Sequence, residues 1–141
     1  TRPWQHVLEP LSGYLLLAGK LYLNNELRGE AFNFGPPANQ NFNVISVVNE
    51  MSKYWDQVNW TTDENKSFDE SGLLKLNCDK ALSKISWEPV WNFNETIYHT
   101  VNWYKNFYLK KDDSFQLSLN QIKDYTNSAI SKGLSWANAK R

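Results

Sequence analysis

The side chains best suited to chemistry in this chain are two histidines, His6 and His99, an arginine at position 2, and the acidic pair Asp69-Glu70. Neither histidine has a Cys or second His at metal-ligand spacing, so no metal site is predicted. Each imidazole is read first as a packed or capping group. His6 also keeps a ligand-binding reading, because Arg2 lies four residues before it. Beside the rigid Pro3-Trp4 pair, the Arg2 guanidinium can meet a phosphate or carboxylate in a fixed fork geometry, although an arginine at a terminus is more often a solvated charge. Asp69 and Glu70 lack a second positioned carboxylate, and by default they form a solvated loop face. The glycines at 13, 19, 29, 35, 72 and 133 form neither a dinucleotide-binding fingerprint nor a P-loop, and no nucleophile elbow is present. No catalytic and no cofactor-binding residue is therefore assigned within this chain.

Composition narrows the partners. At 141 residues, 41% hydrophobic and 15% aromatic, the chain is the size of one domain and can build a core. Lys+Arg and Asp+Glu are both 15, which argues against nucleic acid and anionic membranes as partners. The longest strongly apolar run, Tyr14 to Ala18, is too short to span a bilayer. A single cysteine, Cys78, is read as a buried small residue and fits a cytoplasmic protein. The glycosylation patterns at Asn59, Asn65 and Asn94 are about as many as chance supplies in a chain so rich in asparagine. Seven tryptophans could stack on a sugar, but their spacing favours core positions for most of them.

The elements that must hold these residues are mostly helical. A helix is predicted from Pro10 to the Asn24-Asn25 stop, with Leu11, Leu15, Ala18, Leu21 and Tyr22 as its stripe and Leu16 and Leu17 widening it. A helix apolar around most of its circumference needs cover on two sides, which predicts a missing partner layer. The start at Thr1 without an initiator Met, running at once into that helix, is read as a start inside a domain. Ala31 to Phe34, Val58 to Thr61 and Leu73 to Leu76 are short strand candidates, and Asp63 to Gly72 is a loop. Asn43 caps a helix carrying Val44, Val47, Val48, Met51 and Trp55, with Phe42 and Val47 as a hydrophobic staple. A short helix spans Asp79 to Ile85. Asn92 and Glu95 form a capping box for a longer one, whose buried stripe is Phe93, Ile97, Val101, Tyr104 and Tyr108. Ser118-x-x-Gln121 signals a last helix with Ile122, Tyr125 and Ala129 inward, and the tail after Gly133 is loose. With no repeat and no heptad pattern, the alternation gives an α/β or α+β arrangement.

One string adds more. Arg2-Pro3-Trp4-Gln5-His6-Val7-Leu8-Glu9-Pro10-Leu11-Ser12-Gly13-Tyr14 closely resembles a motif of the CDP-glucose 4,6-dehydratases. Phe32-Asn33-Phe34-Gly35-Pro36, Leu74 to Ala81 and Trp87-Glu88-Pro89-Val90-Trp91 follow in the family's order, as do Thr100 to Tyr104 and Ser118 to Ile122. The Asn-x-Gly-Pro and Trp-x-Pro pieces are shared with extended short-chain dehydrogenase/reductases at large, the NAD-dependent epimerase/dehydratase group.

This resemblance implies an α/β fold of which residues 1–141 are the C-terminal, substrate-binding portion: mainly helical, with a few short strands and most of the Rossmann core absent. It implies a lyase of deoxysugar biosynthesis that converts CDP-glucose to CDP-4-keto-6-deoxyglucose and water. NAD and the Tyr-x-x-x-Lys catalytic pair would belong to the N-terminal part, and no tyrosine here has a lysine four residues later. The chain alone is therefore expected to be inactive, with Arg2, His6 and Glu70 on the substrate side, in a parent homodimer of the cytoplasm. Where the family usually has Pro-His-Glu-Ala this chain reads Phe68-Asp69-Glu70-Ser71, an acid in place of a potential cation, which bears on nucleotide preference. The usual glycine at the end of the short helix is Ser86. The alternatives are another nucleotide-sugar epimerase or dehydratase acting on a UDP-, GDP- or dTDP-sugar, and a non-catalytic module that binds sugar or protein.

Overall fold

The computed structural model describes residues 1–61, 72 and 74–138. Among the described residues five α-helices carry the fold: α1 Leu8–Leu23, α2 Val44–Ser52, α3 Asp79–Ile85, α4 Phe93–Lys105 and α5 Ser114–Ser131. A 3₁₀ turn, Asn25–Leu27, follows α1, and a π-helical turn, Asn106–Lys110, extends α4. The mainly helical expectation holds, but the strands do not. Among the described residues there is one isolated antiparallel bridge, Arg2 with Phe42, and Ala31 to Phe34, Val58 to Thr61 and Leu74 to Leu76 run outside any ladder. A β-rich composition fits an extended segment but cannot supply the neighbouring strand that makes it a sheet.

The helix starts follow from side-chain capping. Asn43 accepts from Ser46 N–H, and Asn92 and Glu95 close the expected capping box. Phe42 packs against the cluster containing Val47, as the staple requires. Helix α1 begins two residues before Pro10, because His6 Nδ1 accepts the Leu8 N–H at 3.2 Å and Pro10, which has no N–H, falls in the first turn where none is needed. The start of α5 also differs. Asp113, not Ser118, caps it by accepting from Gln116 N–H, while Ser118 donates back to the Ser114 carbonyl inside the helix. Ser86 is left-handed at φ 57°, where glycine would be unstrained.

Among the described residues three clusters make the core. Phe34, Ala81, Ile85 and Trp87 join α1 to α3; Val47, Phe93, Ile97 and Val101 join α2 to α4; Val90, Trp91, Tyr125 and Ala129 set the 89–92 turn on α5. Trp87 and Trp91 are buried and Trp4, Trp55, Trp103 and Trp136 partly so, leaving Trp60 exposed. The stripe expected on α4 stops early: Phe93, Ile97 and Val101 are buried but Tyr104 and Tyr108 face solvent, as does Ile122 on α5. The described part of the tail, residues 134–138, is tied down rather than loose. Leu134 N–H reaches the Ala129 carbonyl around Gly133 at φ 72°, and Leu134, Trp136 and Ala137 pack on the third cluster.

Helix α1 inverts its predicted stripe. Its buried positions are Glu9 and Gly13, with Leu8, Ser12, Leu16 and Leu17 half-buried, whereas Leu11, Leu15, Ala18 and Tyr22 form an exposed apolar seam. No helix in the described residues is long and apolar enough to cross a membrane.

Candidate functional site

A cleft of about 530 Å³ is walled by the Gly35–Ala38 segment, the 75–79 segment leading into α3, and the Trp87–Pro89 segment after it. Gly35 allows the first two walls to approach: a Cβ there would sit 2.9 Å from Leu76 Cδ1. Asn33 Nδ2 donates to the Asn77 carbonyl at 3.2 Å, fixing the two segments side by side. Asn77 in turn accepts from Asp79 N–H and so starts α3. Leu76, Cys78, Leu82, Trp87 and the prolines give the cleft apolar walls, and Lys75, Asn77 and Asp79 add a cation, an amide and an acid. That suits a ligand with an apolar ring and charged or hydroxylated parts. The Cys78 thiol faces the Gly35 carbonyl at 3.8 Å, and burial pushes its pKa up, so it stays protonated and is a poor nucleophile.

The N-terminal segment reaches the same region. Arg2 N–H donates to the Phe42 carbonyl at 3.4 Å, Trp4 Nε1 to that carbonyl at 2.8 Å, and Gln5 Nε2 to the Phe34 carbonyl at 3.0 Å. Residues 2–5 are thereby laid along 34–42, whose turn forms one cleft wall. Arg2 is half-buried, with Nη1 donating to the Thr1 carbonyl at 3.0 Å, and the Thr1 amino group donates to the Gly72 carbonyl at 3.0 Å. Arg2 thus follows a residue held on Gly72. Glu70 and Asp69 themselves lie outside the described residues.

His6 is placed differently from Arg2. It is 4% exposed, edge-on to Trp91 at 4.9 Å between ring centroids, and Trp91 is stacked on His99 at 3.8 Å. Burial, then the neighbouring His99, lower the His6 pKa to about 4, against the opposing effect of a hydrogen bond with Gln121. The imidazole is neutral at neutral pH, as its Nδ1 acceptor role requires. Since the folded pKa lies below the unfolded value of 6.5, this contribution to stability is complete above pH 6.5 and is lost as pH falls toward 4. For His6 alone the loss is about 2 kcal/mol between pH 7 and pH 5. Urea unfolding at both pH values should show that much extra loss in the wild type over a His6→Gln variant; equal losses would overturn the assignment.

Sequence reasoning missed a fully buried carboxylate. Glu9 is fully buried in the first turn of α1, where its carboxylate accepts N–H from Val90 at 2.9 Å and Trp91 at 2.7 Å and the Tyr125 hydroxyl at 2.7 Å. Burial raises its pKa above the ordinary carboxylate range, against these three bonds and the Lys132 charge. One turn on, Ser12 Oγ accepts from Trp87 Nε1 at 3.0 Å and lies 3.0 Å from the Tyr125 hydroxyl. The Lys132 ammonium reaches the Val90 carbonyl and Glu95. The only sequence signal was an acid placed beside proline at a helix start.

No three metal-ligating side chains converge among the described residues. Each α-helix of the described residues begins with one N–H taken by a side chain, from His6, Asn43, Asn77, Asn92 and Asp113.

No family model matches the chain. Over 128 residues, 90% of its length, it is 38% identical to the CDP-glucose 4,6-dehydratase of Salmonella typhimurium, and it spans 35% of that relative's length.

Proposed function

From that similarity we propose that this chain is the substrate-binding portion of a nucleotide-sugar dehydratase that converts CDP-glucose to CDP-4-keto-6-deoxyglucose and water. The observation carrying the proposal is 38% identity across nine tenths of the chain. NAD and the reacting groups belong to a part of the enzyme outside residues 1–141, and the chain by itself is not catalytic. The cleft between Gly35, Cys78 and Pro89 supports the reading, since apolar walls with charged and amide side chains suit a nucleotide sugar. So does the exposed seam Leu11, Leu15, Ala18 and Tyr22 on α1, an apolar surface that the rest of a longer enzyme would cover. On this reading Arg2 and Glu70 face the nucleotide, His6 holds the segment that carries Arg2, and the parent enzyme is a cytoplasmic homodimer.

Calorimetric titration of the intact protein tests this directly. CDP-glucose should bind, and Arg2→Ala should raise its dissociation constant about 10-fold or more, the value of one charge-assisted phosphate contact. Failure of the wild-type protein to bind CDP-glucose would overturn the proposal. Unchanged affinity in the variant would remove only Arg2 from the site.

A further inference from the structure

We propose that Glu9 is the positioning residue of the cleft, setting its Trp87–Pro89 wall from the far side of the core; the part of this inference that concerns ligand binding rests on the function proposed above. The 86–92 segment has no regular structure, only a bend at Val90, and its shape depends on what holds its backbone. Two anchors on one turn of α1 do this. The Glu9 carboxylate takes the N–H groups of Val90 and Trp91, the two residues that follow Pro89, with one oxygen on each. Ser12 Oγ takes the indole N–H of Trp87, which is itself a cleft wall. A two-oxygen acceptor spanning successive N–H groups fixes both the height and the rotation of a turn, which one neutral hydrogen bond does not. Trp87 packs edge-on to Phe34 at 5.0 Å, next to the Gly35 turn, so both opposed walls are referenced to α1. The wall position therefore depends on Glu9, although the carboxylate lines no part of the cleft.

The intact protein offers a probe that needs no ligand. Cys78 is the single cysteine, half-buried in the cleft and packed against the Trp87 cluster. In Glu9→Gln an amide NH₂ faces one of the two backbone donors, the turn shifts, and a thiol reagent should modify Cys78 at least about tenfold faster than in the wild type. Tyr125→Phe removes the third hydrogen bond to Glu9 but leaves both backbone bonds, and it should be modified at the wild-type rate. If Glu9→Gln matches the wild type, or if the two variants accelerate alike, Glu9 serves stability only and the proposal is overturned. Should Glu9→Gln fail to fold, Ser12→Ala removes the other anchor and should accelerate labelling several-fold; no acceleration there overturns the proposal equally. CDP-glucose titration separates the two readings: a weakened affinity in Glu9→Gln but not Tyr125→Phe supports both. A wild-type protein that ignores CDP-glucose while Cys78 responds as expected loses the proposed function and keeps Glu9 as the positioning residue.

Discussion

Replacing Glu9 by alanine is expected to cost about 3–5 kcal/mol of folding stability, the typical penalty for breaking a buried charged network by removing one partner. Three donors converge on the carboxylate, from Val90, Trp91 and Tyr125; alanine leaves the Val90 and Trp91 N–H groups buried with no acceptor, while the Tyr125 hydroxyl can still turn to Ser12 Oγ at 3.0 Å. Each such group costs about 1–3 kcal/mol, offset in part because the variant no longer dehydrates a carboxylate. Glu9→Gln should cost less, about 1–3 kcal/mol, since its carbonyl oxygen still satisfies one donor while its NH₂ opposes another. Urea denaturation read by far-UV circular dichroism measures both values. A loss below about 1 kcal/mol for Glu9→Ala would mean that water replaces the carboxylate at little cost.

The same variant should change the acid limb of the stability profile. Glu9 has a folded pKa raised above its ordinary value, so its folded form takes up a proton first and its contribution grows as pH falls from neutrality through that pKa. The Tyr125 hydroxyl can then turn to accept from the protonated acid and donate to Ser12 Oγ, the two hydroxyls being 3.0 Å apart. His6 has the opposite sign and loses stability over the same descent. In the wild type the two oppose each other. Glu9→Ala, with the lowered pKa values of His6 and His99 no longer opposed by Glu9, should lose stability more steeply as pH falls from 6.5 toward 4.

How much of this was readable in the sequence depended on the range of the interaction. Local signals were reliable: the Asn92-Glu95 capping box and the Asn43 cap are satisfied within four residues, and α3 occupies the predicted Asp79–Ile85. Long-range partners were not. Glu9 finds its donors 81, 82 and 116 residues away, and no periodicity in the first twelve residues carries that information. The stripe of α1 failed for a related reason. Spacing identified an apolar helix but could not tell which side this chain covers, and the buried side is the one bearing Glu9, Ser12 and Gly13. Asp113 was overlooked as a cap because Ser118-x-x-Gln121 offered a stronger pattern one turn later. For the site, Arg2 was singled out by side-chain chemistry and by motif, and its role remains a proposal for the Arg2→Ala titration to test. The cleft itself needed Gly35, Cys78 and Pro89 to be brought together across the chain.

Gly13→Ala should destabilise the protein by about 2–3 kcal/mol, whereas Gly19→Ala in the same helix should stabilise it by up to about 1 kcal/mol. Both substitutions gain helix propensity, so the difference isolates packing. A Cβ on Gly13 would lie 2.3 Å from Phe34 Cδ1 and 2.6 Å from Cγ, while one on Gly19 meets nothing within 4 Å. Phe34 cannot easily give way, because it is 7% exposed and held edge-on between Trp87 and Tyr14. Alanine must therefore push α1 outward, and that movement withdraws Glu9 and Ser12 from the turn they hold. Thermal or urea unfolding of the two variants gives the sign of each effect. Phe34→Leu combined with Gly13→Ala should cost less than the sum of the single changes, since the smaller side chain makes room for the added methyl. If Gly13→Ala is as benign as Gly19→Ala, α1 does not lie this close to Phe34, and the short bonds from its first turn to Val90 and Trp91 cannot hold as described.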